Sequence, residues 1–205
     1  MRIQDPGTCV AEQFRGFAYS RTPHPYGSAV VLREPSECKG LIPVTTDFTH
    51  TQTFPTDPQT LFSVLANQDF ILAKCAATGS LSASATITPG TDGSMVLVST
   101  RVLPADLPGP AKSLVGDTIT VTETQSWTPP AADGSRTAHV IVEFSGPMKF
   151  EGKLAMTPQG AETHIMTTGK FTASVPFIGG KIEKVAAEQT TRYLNAEERV
   201  ARERI

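Results

Sequence analysis

The feature that most constrains the fold is an unbroken series of six strand-like segments between residues 80 and 175. The segments are SLSASATI, SMVLVSTRVL, DTITVTETQSW, RTAHVIVEFSG, KFEGKLAM and ETHIMTTGKFTASV. Turn residues such as Pro89-Gly90, Asp133-Gly134 and Pro158-Gln159-Gly160 separate most of them. The connection PADLPGPAKSLVG is longer. Consecutive strands joined mainly by turns predict an antiparallel meander rather than a parallel sheet.

The flanking segments predict one further strand and three helices. DFTHTQTF alternates like a strand, and Thr56-Asp57-Pro58 then provides a helix N-cap and a proline for the first turn. Two short helices follow, the second within DFILAKCAA, and KIEKVAAEQTTRYLNAEERVARERI closes the chain as a long helix. Because only this last helix is long enough to cover a sheet face, the sequence predicts an α+β helix-grip fold. It has a seven-stranded curved antiparallel sheet, two short helices after the first strand and a long C-terminal helix.

Residues 1–43 differ in character from the rest of the chain. Prolines and glycines alternate there without the periodicity of a strand or a helix. We interpret residues 1–43 as a disordered or non-native N-terminal extension and residues 44–205 as the folded domain.

Composition excludes several classes of protein. Hydrophobic residues make up 39% of the 205 residues, charged residues make up 19%, and the net charge is −2. These values are typical of a globular protein without a basic field for nucleic acid, and no apolar run reaches the ~18 residues of a membrane helix. No secretory signal starts the chain, so a cytoplasmic location is expected. The mixed charges of the C-terminal EERVARERI predict a solvated helix face.

Strand alternation assigns the inner face of the sheet. In DTITVTETQSW the alternate positions from Thr118 to Ser126 are uniformly polar, so Glu123, Gln125 and Trp127 point inward with Ile119 and Val121. The inner face also receives the following residues: Leu81, Ala83, Ala85, Ile87, Met95, Leu97, Ser99, Arg101, Val140, Val142, Phe144, Phe150, Leu154, Met156, Ile165, Thr167, Phe171 and Val175. Small residues among the large ones, such as Gly152 and Gly169, indicate either space left on this face or close packing of the helix on the sheet.

An apolar cavity with a few polar groups is the usual composition of a small-molecule site. The predicted cavity-lining and ligand-binding residues are Leu97, Arg101, Ile119, Val121, Glu123, Gln125, Trp127, Val142, Phe144, Leu154, Met156, Thr167, Phe171, Ile182, Ala186, Gln189 and Tyr193. Arg101 and Glu123 are open to three interpretations: a buried structural ion pair, a position at the wet rim of the sheet, or direct contact with the ligand.

Four segments carry a resemblance to a known family. They are TRVLPADLP (100–108), the ETQSW run ending at Trp127, GPMKFEGKLAMTP (146–158) and VPFIGGKIE (175–183). With them the chain from Phe48 onward resembles DUF2505, a largely actinobacterial family in the START/polyketide-cyclase-like (SRPBCC) superfamily. The resemblance implies a helix-grip fold with a hydrophobic tunnel between the sheet and the terminal helix. Relatives in the superfamily bind lipids, sterols, polyketides or plant hormones, and a minority catalyse cyclisation or hydrolysis.

The search for catalytic chemistry identifies no catalytic residues, metal site or cofactor. The histidines have no metal-ligand spacing, and His139 and His164 fall on the outward phase of their strands. An enzyme would have to use Glu123 as acid or base, with Arg101 or Tyr193 assisting.

The leading hypothesis is therefore binding or carriage of a small hydrophobic ligand, with residues 106–114 and the terminal helix as a gate. A cyclase- or hydrolase-type enzyme and a protein-interaction module are the alternatives. The sequence predicts neither a nucleic-acid partner nor integral membrane association, and it identifies no protein partner.

Overall fold

A computed structural model describes residues 45–105, 116–175 and 178–205. The strands are β1 (Thr45–Phe54), β2 (Ser82–Pro89), β3 (Met95–Pro104), β4 (Thr118–Trp127), β5 (Arg136–Phe144), β6 (Met148–Gln159) and β7 (Glu162–Ala173). The helices are α1 (Pro58–Leu65), α2 (Gln68–Ala77) and α3 (Gly179–Arg202). The predicted N-terminal extension (1–43) and the whole of the predicted gate loop (106–114) lie outside the described residues.

The seven strands form one antiparallel sheet in the order β1-β7-β6-β5-β4-β3-β2. Strands β2 to β7 follow one another as a meander, and β1 pairs with β7 at the far edge, from Thr45 opposite Thr172 to Phe54 opposite Thr163. The predicted fold is confirmed, including the two short helices between β1 and β2. None of the helices in the described ranges has the length and apolar character that a membrane crossing requires.

Side-chain caps fix where α1 and α2 begin. The Asp57 carboxylate accepts hydrogen bonds from the backbone N–H groups of Gln59 at 2.9 Å and Thr60 at 3.0 Å, and Pro58 occupies the first turn. The Asn67 side chain caps α2 in the same way. The two capped helices therefore follow each other closely, with only Ala66 and Asn67 between them.

The terminal helix is fastened to the sheet by a buried carboxylate. Glu183 accepts a hydrogen bond from the Ala173 backbone N–H at 2.8 Å and another from the Thr46 hydroxyl at 2.7 Å. Its side chain is fully buried. Glu183 therefore holds the first part of α3 against β7 and β1.

Three details of the sequence interpretation are wrong. Leu81 does not face inward: it lies just before β2 and is 65% exposed. The EERVARERI segment is not solvated throughout, since Glu197, Val200 and Ala201 are buried residues of α3. The third is the alternative in which small residues such as Gly152 leave space on the inner face.

Gly152 and Gly169 do not leave open space on the inner face. The two glycines lie directly opposite each other in β6 and β7, and the ring of Phe150 packs over them. A Cβ atom on Gly169 would lie 2.6 Å from Phe150 Cζ and 2.5 Å from the Glu151 carbonyl oxygen, and one on Gly152 would collide with the Thr168 carbonyl oxygen. The glycines thus permit close packing of an aromatic ring.

Candidate functional site

A cavity of about 760 Å³ lies between the inner face of the sheet and the helices. Every predicted lining residue except Met156 borders it: Leu97, Arg101, Ile119, Val121, Glu123, Gln125, Trp127, Val142, Phe144, Leu154, Thr167, Phe171, Ile182, Ala186, Gln189 and Tyr193. Met156 is fully buried in the core instead. It lies opposite Ile165, nearer the end of the sheet that α1 covers.

Several lining residues were missed by the sequence analysis because they come from the helices and from strand ends. Helices α1 and α2 contribute Leu65, Phe70, Ile71 and Lys74. Leu103, Pro104, Pro147, Met148 and, on α3, Val185 also border the cavity. Alternation within strands cannot find residues that lie on helices or in turns. Leu103 is different, because it is paired with Ile119 in β3 and continues the inward phase of Arg101, so alternation did contain a signal for it.

A buried carboxylate is the centre of a polar cluster on the cavity wall. Glu123 pairs with Arg101, whose Nη1 lies 3.3 Å from Oε2, and it accepts a hydrogen bond from the Gln125 amide. Gln125 in turn accepts one from the Trp127 indole N–H at 2.8 Å. Burial opposes ionisation of Glu123, but the positive charges of Lys74 and Arg101 outweigh it and lower the pKa to about 2.

Lys74 extends this cluster to the terminal helix. Its Nζ lies 2.6 Å from Glu197 and 3.6 Å from Glu123, and all three side chains are less than a tenth exposed. Burial favours the neutral amine, but the two carboxylates prevail and raise the pKa of Lys74 well above 10.5. Gln52 donates to Glu197 at 3.2 Å and to the Leu194 carbonyl at 2.9 Å. The polar cluster therefore joins α2, α3 and strands β1, β3 and β4.

Tyr193 covers the two cations from the α3 side. The Arg101 guanidinium lies 3.9 Å and the Lys74 Nζ lies 5.2 Å from the centre of its ring. Burial raises the pKa of the Tyr193 phenol, with Glu123 acting in the same direction, so the hydroxyl stays protonated. Among the described residues, neither the Tyr193 hydroxyl nor Arg101 Nε has a hydrogen-bond partner, and the same holds for Thr167 Oγ1.

The protonation states in this cluster are poorly suited to proton transfer by Glu123. A carboxylate with a pKa of about 2 and two paired oxygens is a weak general base at neutral pH. Burial raises the pKa of the neighbouring Cys75 thiol, so the thiolate is disfavoured there. In the described part of the chain, no group of three His, Cys, Asp or Glu residues is placed to hold a metal ion. His139 and His164 face outward and lie beside Glu151 and Glu162.

Comparison with known proteins places the chain in a family. The profile of a protein family of unknown function, DUF2505, matches residues 49–205. The chain belongs to the DUF2505 family. The match begins within β1 and takes in every later element, so the family domain of this DUF2505 protein is the helix-grip unit. No curated protein is matched by the sequence.

Solved structures with the same fold include an aromatase/cyclase and a STAR-related lipid transfer protein. The Zhui aromatase/cyclase from Streptomyces sp. R1128 is 14% identical, with a TM-score of 0.53 over 78% of this chain and 93% of that one. A STAR-related lipid transfer protein from Xanthomonas axonopodis is 13% identical, with a TM-score of 0.52 over 76% and 85%. TTHA0849 from Thermus thermophilus is 15% identical, with a TM-score of 0.53 over 78% and 96%. At these identities the DUF2505 protein shares the fold with them.

Proposed function

We propose that this protein binds and carries a small hydrophobic molecule, lipid-like or polyketide-like, in the cavity between the sheet and α3. The observation that carries the proposal is the cavity of about 760 Å³, which falls in the size range of small-molecule sites. One of the similar folds belongs to a lipid transfer protein and another to an aromatase/cyclase. Carriage rather than catalysis is supported by the paired state of Glu123.

The composition of the cavity wall supports an apolar ligand. Aliphatic and aromatic side chains such as Ile119, Val142, Phe144 and Ile182 form most of it, and the buried charges are gathered into one paired cluster. An apolar molecule that enters removes its own surface and that of the wall from water, which contributes roughly 25 cal/mol for each Å² of apolar surface. The expected cytoplasmic location stays a prediction.

The proposal is tested in two steps. Native mass spectrometry of the purified full chain, with extraction into organic solvent, is expected to reveal a co-purified apolar compound. Protein stripped of this compound is then titrated with a lipophilic naphthalene dye, whose fluorescence rises in a dry site. A protein that carries no such compound and also fails to bind the dye would contradict the proposal.

A matched pair of substitutions separates cavity binding from surface binding. Val142→Trp places an indole in the cavity, whereas Glu143→Trp places the same group on the exposed outer face of β5. We expect Val142→Trp to weaken dye binding about tenfold or more, which corresponds to about 1.4 kcal/mol. Glu143→Trp should leave it unchanged. Equal effects of the two substitutions would show that the dye binds outside the cavity.

A further inference from the structure

We infer that the carried molecule is an amphipathic anion, whose apolar body lies in the cavity and whose carboxylate or phosphate group is held by Arg192 and Arg199 on the exposed side of α3. The inference rests on the proposed function and names the chemical class of its ligand. A neutral hydrocarbon would use the apolar wall alone, whereas an anion with an apolar chain would also use these two cations.

Arg192 and Arg199 lie where the cavity opens to solvent. Both side chains border the cavity and both are exposed, and a residue can meet these two conditions only at an opening. They are seven positions apart on α3, so they share one face of the helix and lie about 10.5 Å apart along its axis. Ala196 lies between them, is half-buried and also borders the cavity. Two long basic side chains therefore flank one small residue at the edge of the cavity.

These two arginines give the residues that border the cavity a net charge of +2. The four cations and two carboxylates that border it are Lys74, Arg101, Arg192, Arg199, Glu123 and Glu197. Lys74 and Arg101 are already paired with the two carboxylates, at 2.6 Å and 3.3 Å, so the four buried charges cancel. A ligand anion placed among them would be a third buried carboxylate or phosphate without a cation of its own, which is strongly unfavourable. At the opening it would meet two cations and stay in contact with water.

Arg192 and Arg199 are also the arginines that the described residues leave without a partner. Glu188 and Glu203 lie one turn from them on α3, but neither forms an ion pair with them and neither borders the cavity. The other arginines in the described ranges each contact a carboxylate, a backbone carbonyl or an aromatic ring: Arg101, Arg136, Arg202 and Arg204. The planar guanidinium group presents donors that match two oxygens of a carboxylate or phosphate. The opening therefore has the donors that such a group would bind.

The experiment compares two fluorescent probes with the same apolar body. Dansylaminoundecanoic acid carries a carboxylate at the end of its chain, and its methyl ester is the neutral analogue. Each is titrated into the full chain, stripped of co-purified lipid, and into two double variants. One variant combines Arg192→Gln with Arg199→Gln. The matched control combines Lys153→Gln with Lys170→Gln, which removes the same charge from the exposed outer face of the sheet. Unchanged urea midpoints confirm that both variants fold.

We expect the acid to bind the unmodified protein more tightly than the ester does. The double arginine variant should weaken acid binding about tenfold and change ester binding less than about twofold, because only the acid loses its ion pairs. Added salt should weaken acid binding and leave ester binding unchanged, since exposed charges are screened. The double lysine variant should behave like the unmodified protein with both probes.

The outcomes distinguish this inference from the proposed function. If neither probe binds, both are wrong. If acid and ester bind equally and the arginine variant changes neither affinity, the protein carries apolar molecules and the inferred anion site is overturned. If the lysine variant weakens acid binding as much as the arginine variant does, the effect comes from net charge and the location is wrong.

Two further measurements separate the inferred ligand from other anions. Undecanoate should displace the acid probe, whereas acetate at the same concentration should not, because acetate lacks the chain that enters the cavity. Equal displacement by acetate would show that the arginines bind free anions and would overturn the inference. Flotation with vesicles that contain phosphatidylglycerol tests a membrane surface instead. If the arginine variant loses vesicle binding but keeps its affinity for the acid probe, the arginines contact a membrane and the inference is wrong.

Discussion

Replacing Lys74 tests directly how much the buried polar cluster contributes to the free energy of unfolding. Lys74→Met keeps the length of the side chain and removes the charge. Without the ammonium, Glu123 keeps Arg101 and Gln125 as partners, whereas among the described residues Glu197 keeps only the Gln52 amide, at 3.2 Å. The uncompensated charge therefore falls chiefly on Glu197. Removal of one partner from a buried ion pair typically costs about 3–5 kcal/mol, which is a large share of the stability of a small domain.

The assay is urea unfolding followed by tryptophan fluorescence. Trp127 is the only tryptophan in the chain and is 3% exposed, so its emission reports on loss of the core. We expect Lys74→Met to lower the free energy of unfolding by about 3–5 kcal/mol. Lys153→Met, on the exposed outer face of β6, is the matched control and should leave the urea midpoint unchanged.

A second substitution tests where the unpaired charge lies. Lys74→Met combined with Glu197→Gln should recover most of the lost stability, because the second substitution removes the buried carboxylate that has lost its cation. Lys74→Met combined with Glu123→Gln should recover less, since that carboxylate still has Arg101. A loss below about 1 kcal/mol for Lys74→Met, or no recovery on adding Glu197→Gln, would refute the reasoning.

Two further predictions concern acid stability and sheet packing. The folded pKa of Glu123 is lowered from 4.5 to about 2, so its contribution is present above pH 4.5 and is lost as the pH falls toward 2; this amounts to about 3 kcal/mol. Urea titrations at stepped pH should show a shallower decline over that window for Glu123→Gln, and an unchanged decline would contradict the pairing. Gly152→Ala should cost about 1–3 kcal/mol in the same assay, because its Cβ meets the backbone oxygen of Thr168; a cost near zero would contradict the close packing.

Much of the fold could be predicted from the sequence because the strands alternate clearly. Uniformly polar positions such as Thr120 and Thr122 leave one phase of β4 for the interior, and this phase places Glu123 and Arg101 on one face. Of the interpretations left open for this pair, the buried ion pair is confirmed at 3.3 Å. Alternation fails at strand ends, where pairing stops, and Leu81 is the example.

The sequence analysis missed Lys74 and Glu197, although helical spacing contains a signal for both. Lys74 follows Phe70 by four positions and Ile71 by three, so it shares their buried face. Glu197 follows Tyr193 by four positions, which continues the predicted cavity-facing stripe of α3. The sequence analysis interpreted the whole charged segment around Glu197 as solvated, because it used the composition of the segment and did not treat the faces of the helix separately. Contacts between α2 and α3 depend on the tertiary packing and could not be derived from local patterns.

The Arg101–Glu123 pair has a consequence for how ligand preference could diverge among relatives. Arg101 borders the cavity and is also the ion-pair partner of Glu123, so a substitution at this position would lower the stability of the fold as well as change the cavity wall. Ile119, Val142 and Phe144 border the same cavity, and their side chains take part in no ion pair. We expect homologues that accept differently shaped molecules to vary at these apolar positions, while the charged framework stays the same.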